Sequence, residues 1–540
     1  MPRLIAITGD AVREISFTPG PSVREILAAG DFPVRSGCSG NGACGLCLVR
    51  VESGDAGDPT RNERVLLRTD QLAVNTRLAC QLAPAGDLCI RILGKASESN
   101  WRDLGPTRLI PTPARVYHRA SSPSHEVAYG LAVDLGTTHI SLALWDLEEG
   151  KWLSGRIGPN PQRHYGADVL TRLIAASESP ERARNLAGIV LDAVRDALLD
   201  MASRGGISPG RVVRIAIVGN TPMLAILTQT DSSVLLQPRS WERPIDCRPD
   251  ASQTWASALG VHPGASVEVV SPLAGFVGSD LLAGVLAADL TDDPGGLLID
   301  FGTNSEIALW DGDTLWVTSA AGGPAFETSQ TKCGMPAEAG AIYRASRQRD
   351  SSRWHFEVIG GESGNGERAK GFCGSGLVDL IACLRDTEDL TRTGKFRDAT
   401  YREGFPIEPS NPALRLGCGD VDMFQRAKAA IGAGIEALLG QARMRIPDLT
   451  RVCVGGAFGQ YLNTRNAQAI GLLPEIAAER VELCGNTALA GCERLLLSEA
   501  AAADLAALRR RAAVMNLSQR SDFNDLFLDN LYLQPLKAQI

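Results

Sequence analysis

Leu131-Ala-Val-Asp-Leu-Gly-Thr-Thr-His-Ile-Ser-Leu-Ala-Leu-Trp-Asp146 returns later in the chain as Leu297-Leu-Ile-Asp-Phe-Gly-Thr-Asn-Ser-Glu-Ile-Ala-Leu-Trp-Asp311. Each copy reads as an apolar strand, an Asp-x-Gly-Thr turn and a second apolar strand ending in Leu-Trp-Asp. Glycine at such a turn lets the backbone close on a phosphate, while threonine hydroxyls and turn N–H groups donate to its oxygens. An aspartate at the strand end can hold hydrated Mg2+ or orient a water. Two facing copies would clamp a triphosphate from both sides. Gly136, Thr137, Thr138, Gly302, Thr303 and Asn304 are therefore the candidate phosphate-binding residues, and Asp134 and Asp300 the candidate catalytic pair.

From Val127 onward, strands alternate with long amphipathic helices. Leu186, Val190, Val194, Ala197, Leu198 and Met201 recur at helical spacing, as do Phe424, Ala427, Ile431, Ile435, Leu438 and Leu439. Further on, Val452-Cys-Val-Gly455-Gly456-Ala-Phe458-Gly459 is a strand running into glycines. There is no G-x-x-x-x-G-K-[ST] element, so this is not a Walker site. With its two hairpins and this glycine element, the region resembles the superfamily of actin, heat-shock chaperone ATPases and sugar kinases. That resemblance implies a two-subdomain ASKHA (ribonuclease H-like) α/β ATPase, with subdomains at 128–290 and 291–540. It also implies an adenosine pocket shaped by Gly455, Gly456 and Phe458.

Ahead of the repeat stand Cys38-Ser-Gly-Asn-Gly-Ala-Cys44-Gly-Leu-Cys47 and Arg77-Leu-Ala-Cys80-Gln, with the spacing C-x5-C-x2-C-x32-C. Three thiolates on one glycine-rich loop and a distant fourth are how ferredoxin-type 2Fe–2S centres are held. Gly37, Gly40, Gly42 and Gly45 let the loop wrap closely, and the N–H groups so exposed can bond the sulfurs. Zinc usually takes paired C-x2-C knuckles, of which this stretch has one. Cys38, Cys44, Cys47 and Cys80 are thus the expected ligands, and residues 1–93 a β-grasp ferredoxin-like α+β domain. Within it, Ser22 and Glu25 form a capping box for a helix that Gly30 ends, and Cys89 lies in an alternating strand as a packing residue. Residues 94–127, with Pro106, Pro111, Pro113 and Pro123 and little apolar periodicity, read as a flexible linker.

A chain of 540 residues is too long for one core, and 44% hydrophobic with 21% charged residues is ordinary globular composition. A net charge of −8 without a basic run leaves no nucleic-acid footprint. No apolar stretch approaches the roughly 20 residues needed to cross a bilayer. Thirteen cysteines without a disulfide-scaffold pattern suit a reducing cytoplasm.

The order of ferredoxin domain, linker and ATP clamp closely resembles the reductive activators of corrinoid proteins. Asn160-Pro-Gln-x-x-Tyr165-Gly-Ala-Asp168-Val, Val218-Gly-Asn220-Thr-Pro-Met223, Gly275-Phe-Val-Gly278-Ser-Asp280 and Gly371-Phe-Cys-Gly374-Ser-Gly376 extend the likeness. The resemblance implies ATP-dependent one-electron reduction of a methyltransferase's corrinoid protein from Co(II) to Co(I). It also implies a 2Fe–2S cluster, ATP and Mg2+ as cofactors and an upstream reductase as electron source; a homodimer is left open. Two departures stand out: there is no room for the extra small domain many members carry, and Thr328 follows Gly323-Pro-Ala-Phe-Glu327 where a glycine is expected. Asp168 and Asp280 each sit near a helix start, where a carboxylate is as readily a cap as a functional group. Cys333, Cys373 and Cys453 read as packing residues. Rival readings are an ATP-gated donor to another low-potential enzyme and a metabolic kinase with Asp280 as its base. A chaperone-like ATPase ranks last.

Overall fold

The computed structural model describes residues 2–8, 11–30, 34, 42, 47–93, 101–107, 109, 128–166, 168–230, 232–249, 252–322, 331–347, 354–360, 369–407, 414–456, 458 and 461–536. Cys38, Cys44, Thr328 and Gly459 lie outside them.

In the N-terminal domain, strand Arg3–Thr8 pairs antiparallel with Ala11–Ser16 and parallel with Leu88–Ile92. Leu48–Gly54 and Thr76–Leu78 complete a five-stranded sheet. Helix Val23–Ala29 carries the expected Ser22/Glu25 capping box. Its Val23 and Leu27 join Leu4, Val49, Leu78 and Ile90 in a core whose members are fully buried. Cys89 sits half-buried in the central strand, consistent with packing.

The strand that delivers Cys80 is locked from beneath. Arg77 and Glu63 form an ion pair at 2.9 Å with side-chain exposures of 2% and 0%. The Arg77 guanidinium also donates to the carbonyls of Ala56, Gly57 and Asp58, and the Leu78 N–H donates to Glu63. Burial pushes the Glu63 carboxyl up, but hydrogen bonds from Arg77 and from the Leu78 and Thr60 N–H groups outweigh it and hold it low.

The ATPase region consists of two lobes, each built on a six-stranded sheet. The first sheet runs Ser266–Val269, Val212–Gly219, Tyr129–Leu135, His139–Asp146, Lys151–Pro159, Arg102–Asp103. The second runs Val481–Gly485, Arg451–Gly455, Gly296–Phe301, Ser305–Trp310, Leu315–Ala320, Ala512–Val514. In both, the first three strands are mutually parallel and the next two continue antiparallel. The repeated hairpin is therefore the visible part of a five-strand structural repeat. Helices Pro180–Gly205 and Cys418–Ala442 bury the apolar stripes read from their periodicity.

One expectation needs correction. Residues 101–107, placed in the linker by composition, belong to the first lobe: Arg102–Asp103 adds the outermost strand to its sheet. Trp101 is buried, and its indole N–H donates to Asp196 at 3.1 Å. A Cβ on Gly158 would stand 2.5 Å from the Trp101 ring, so glycine there opens the seat. Two residues of strand and one tryptophan are too little periodicity to register among prolines, serines and arginines.

A pair of crossed helices joins the lobes. Ser279–Ala287 leaves the first lobe and Thr487–Leu497 the second, and a Cβ on Gly491 would lie 1.9 Å from the Ala283 carbonyl oxygen. The core around them draws Ala132, Trp145 and Val218 from one sheet and Leu298, Trp310 and Val317 from the other.

Because removing one member of a buried ion pair strands the other, Arg77→Ala should cost the N-terminal domain about 3–5 kcal/mol. Thermal unfolding measures this, with the exposed Arg64→Ala as control; equal shifts for the two variants would contradict the role given to the pair.

Candidate nucleotide and cluster sites

The two Asp-x-Gly-Thr turns face each other across the cleft between the lobes. The Thr138 and Thr303 hydroxyls are hydrogen-bonded at 2.9 Å, although 165 residues separate them in sequence. Around them the cleft is lined by Asp134, Gly136, Thr137, Asn220, Asp280, Asp300, Gly302, Asn304, Glu306, Gly456 and Asn486. Hydroxyl and amide donors thus converge with carboxylates in one polar cavity.

The first turn is held from behind by Asn160 and Asn220, which lie in the family-like segments, and by Arg172, which lies outside them. Asn160 donates to the Gly136 carbonyl at 2.9 Å, Arg172 to the Thr137 carbonyl at 2.6 Å, and Asn220 to the Thr137 hydroxyl at 3.0 Å. Asn160 and Arg172 are buried, so these contacts are shielded from competing water. Each asparagine also caps a helix start: Asn160 accepts from the Gln162 N–H and Asn220 from the Met223 N–H.

Both aspartates are tethered to the start of one second-lobe helix, Asp134 across the lobe boundary and Asp300 within its own lobe. Asn486 donates to Asp134 at 2.8 Å, and Thr487 donates to Asp300 at 3.0 Å. Both tethers sit at the start of the crossed helix Thr487–Leu497, where Asn486 is the N-cap. The sequence reading missed this pair. Its one available signal was the triplet Gly485-Asn486-Thr487, which repeats Gly219-Asn220-Thr221.

Four carboxyl groups share the cleft floor, and among the described residues the basic side chain that lines it with them is His139, which burial pushes down to about 4 and so keeps neutral near pH 7. Burial pushes Asp134 up to about 7, against the Asn486 hydrogen bond and with help from the Asp300 charge. Burial and then the Asp134 charge raise Asp280 to about 7. Burial takes Asp300 to about 6, opposed by Thr487. Glu306, also missed in the sequence, stands well above its ordinary value through burial and then the Asp280 and Asp300 charges. Like charges crowded out of water favour their neutral forms unless a cation joins them.

The two uncertain aspartates separate cleanly. Asp168 accepts from the Thr171 N–H at 2.9 Å and is the N-cap of helix Val169–Ser177. Asp280 is no N-cap: that position is Gly278, and Asp280 projects into the cleft toward Asp134 and Asp300.

At the glycine element expected to shape an adenosine pocket, the strand ends at Gly455 and Gly456 follows beside the cleft. Gly456 has φ +80°, and a Cβ there would stand 2.2 Å from the Phe301 carbonyl oxygen. Only glycine fits both constraints. Phe458 is instead buried, stacked on Phe301 with ring centroids 4.9 Å apart, so it supports the element from the core and does not line the cleft. A second cavity of about 680 Å³ adjoins Thr303 and Asn304 and is walled by Trp241, Phe276, Met423, Phe523 and Phe527.

Of the four cysteines, Cys47 and Cys80 are described, and the structure brings them together. The Cys80 N–H points at the Cys47 sulfur at 3.5 Å, and the Gln81 amide lies 3.8 Å from the Cys80 sulfur. Cysteine sulfurs faced by N–H donors are the surroundings an iron–sulfur cluster uses. Cys333, Cys373 and Cys453 are buried, as packing residues would be.

Comparison with known proteins follows the same division of the chain. Residues 8–85 match the 2Fe-2S iron-sulfur cluster binding domain, residues 129–293 the RACo middle region, and residues 295–540 the C-terminal domain of RACo, the ASKHA domain. The corrinoid activation enzyme RamQ of Eubacterium limosum is 29% identical over 433 residues, covering 76% of this chain and 71% of that protein. The [Co(II) methylated amine-specific corrinoid protein] reductase of Methanosarcina barkeri is 26% identical, covering 75% and 76%. A solved structure titled reductive activator for corrinoid, iron-sulfur protein superposes with a TM-score of 0.67 at 26% identity, covering 99% of both chains. A 2Fe–2S ferredoxin-type domain followed by the middle and ASKHA domains, matched in order and in fold, makes this chain a member of the reductive activators of corrinoid proteins.

Proposed function

We propose that this protein uses ATP to drive one-electron reduction of a methyltransferase's corrinoid protein from Co(II) to Co(I). The observation that carries the reading is the Thr138–Thr303 contact: one chain brings two phosphate turns together across a cleft and also bears a one-electron carrier domain. The named activities of the relatives support the same acceptor.

The energetics require such a coupling. Bound at Cys38, Cys44, Cys47 and Cys80, a ferredoxin-type cluster supplies single electrons near about −400 mV. Co(II) in a corrinoid is harder to reduce than that, and each ~59 mV of mismatch costs about 1.4 kcal/mol per electron. Methylation of Co(I) drains the product. ATP contributes by stabilising the closed arrangement of the lobes, which grips the corrinoid protein with a different affinity from the open one.

In the cleft, Thr137, Thr138, Thr303 and Asn304 hold phosphate oxygens, and Gly136 and Gly302 allow the approach. Asp134 and Asp300 handle hydrated Mg2+, whose charge offsets the crowded carboxylates. Asp280, partly protonated near neutral pH, orients the attacking water. Gly455 and Gly456 carry the adenosine. Electrons arrive from a separate reductase, and the cytoplasm provides the reducing surroundings. A homodimer is not required by this scheme, since a single chain carries both the cluster ligands and the clamp. Among the described residues, no helix is long and apolar enough to cross a membrane.

Anaerobic protein supplied with a strong reductant and a Co(II) corrinoid protein should build the Co(I) absorption band only when ATP is present. Equal growth without ATP would refute the coupling, and phosphorylation of a sugar without reductant would favour the kinase. Asp280→Asn should slow ATP hydrolysis about a hundredfold while leaving nucleotide binding intact; undiminished hydrolysis would remove Asp280 from the chemistry.

The raised carboxyls also predict a pH dependence. Glu306 binds its proton more tightly folded than unfolded, so its contribution to stability is full below its unfolded pKa. It is lost as pH rises through the folded value. Glu306→Gln should therefore stabilise the nucleotide-free protein at pH 8 by about 1 kcal/mol or more, and hardly at pH 4. Thermal melts at the two pH values check the sign, and equal effects at both would contradict it.

A further inference from the structure

Away from the cleft floor, Cys453, Cys484 and Glu482 place their sulfur and carboxylate atoms within 4.8 Å of one another. The two cysteines stand on adjacent parallel strands, Arg451–Gly455 and Val481–Gly485, whose pairing shifts register between Val454 and Gly455. Cys453 pairs with Glu482, and Cys484, two residues further along that strand, lies on the same face by strand alternation; both cysteines join the core between the lobes. Val481–Gly485 is the edge strand of its sheet, and Cys484 is followed two residues later by Asn486. From Cys453 the chain reaches Gly455 and Gly456 in two and three residues. Both strands thus end in the groups that contact the nucleotide cleft: glycines against Asp300 and Phe301 on one, the Asn486 and Thr487 tethers on the other.

We infer that Cys453 and Cys484 form a redox-active dithiol whose oxidation to a disulfide weakens nucleotide binding. The two thiols differ in character. A hydrogen bond from the Cys484 thiol, aided by the Arg451 charge, outweighs burial and holds the Cys453 thiol below its ordinary value. Arg451 also lies 3.7 Å from Glu482, so a cation is already present beside the sulfurs. That arrangement favours a thiolate over capture of a metal ion. The oxidant is a peroxide, which would enter from the edge-strand side, where Cys484 keeps 7% of its surface exposed while Cys453 is fully buried. The Cys453 thiolate attacks one peroxide oxygen and the O–O bond breaks, leaving a sulfenic acid and a hydroxide that takes up a proton to become water. The Cys484 sulfur then attacks the sulfenic sulfur, the S–O bond breaks, the S–S bond forms and a second water leaves. Two thiols lose two electrons to one peroxide. The new bond pins the strands across the register shift and displaces the loops they end in. For a protein handling low-potential electrons, this would stop ATP use when peroxide is present.

The effect on binding rests on the nucleotide reading above, whereas formation of the bond does not. Full-length protein is treated with hydrogen peroxide, alkylated and digested without reductant. Mass spectrometry should find the Cys453 peptide joined to the Cys484 peptide, and dithiothreitol should release it. In parallel, ATP affinity should fall about fivefold or more on oxidation and recover with dithiothreitol. Cys453→Ser and Cys484→Ser, each checked for a native melting profile, should bind ATP normally and lose the peroxide response. Because peroxide also damages an iron–sulfur cluster, these variants separate the two effects. Absence of the cross-link overturns the dithiol. A cross-link with unchanged affinity overturns its coupling to the cleft. One equivalent of zinc in the wild type that either variant loses would make the trio a cation site instead.

Discussion

The lobes are joined by two helices that each cross into the other's territory, and the rest of the ATPase region depends on how closely they approach. Gly491 against Ala283, and Gly284 against Thr487 and Leu298, leave no room for a side chain at the crossing. Cys492 donates to the carbonyls of Val133 and Ala216, and Arg214 to that of Leu495, so the second lobe's helix is bonded to the first lobe's sheet. A close crossing of this kind fixes the two Asp-x-Gly-Thr turns opposite each other, with Thr138 and Thr303 in contact. It also places the Asn486 and Thr487 tethers at the start of the crossing helix, where one element contacts both Asp134 and Asp300.

Four carboxyls are gathered where, among the described residues, the basic side chain in the lining is a neutral, buried His139, so their charged forms are unfavourable there. The crossed-helix core beside the cleft offsets that cost with apolar burial drawn from both sheets. At the other end of the chain the opposite solution applies. Glu63 is paired with Arg77 inside the domain, because a strand carrying a cluster ligand has to be held still without help from a ligand.

Much of this was legible in the chain itself. The repeated hairpins, the cysteine spacing, the capping box at Ser22 and the helical stripes ending at Met201 and Leu439 are local patterns, and local patterns survive in a linear reading. Trp101 escaped because a single aromatic has no period. Phe458 was assigned to the adenosine element by its place in a motif, whereas packing against Phe301 turns it into the core. Asp168 and Asp280 carried the same signal, a carboxylate near a helix start. The former is satisfied by the Thr171 N–H, the latter faces two other aspartates, and only their surroundings tell them apart.

The amino-acid order by itself determined the fold class, the division into an electron carrier and a nucleotide clamp, and the turns that would meet a phosphate. Those depend on spacing within one segment, where backbone geometry leaves few choices. Tertiary structure alone decided the partners of those turns: Thr138 with Thr303, Asp134 with Asn486, Asp300 with Thr487, and Cys453 with Cys484. These contacts join residues from about 30 to more than 350 positions apart, and no local propensity encodes which distant side chain a folded core will set beside another.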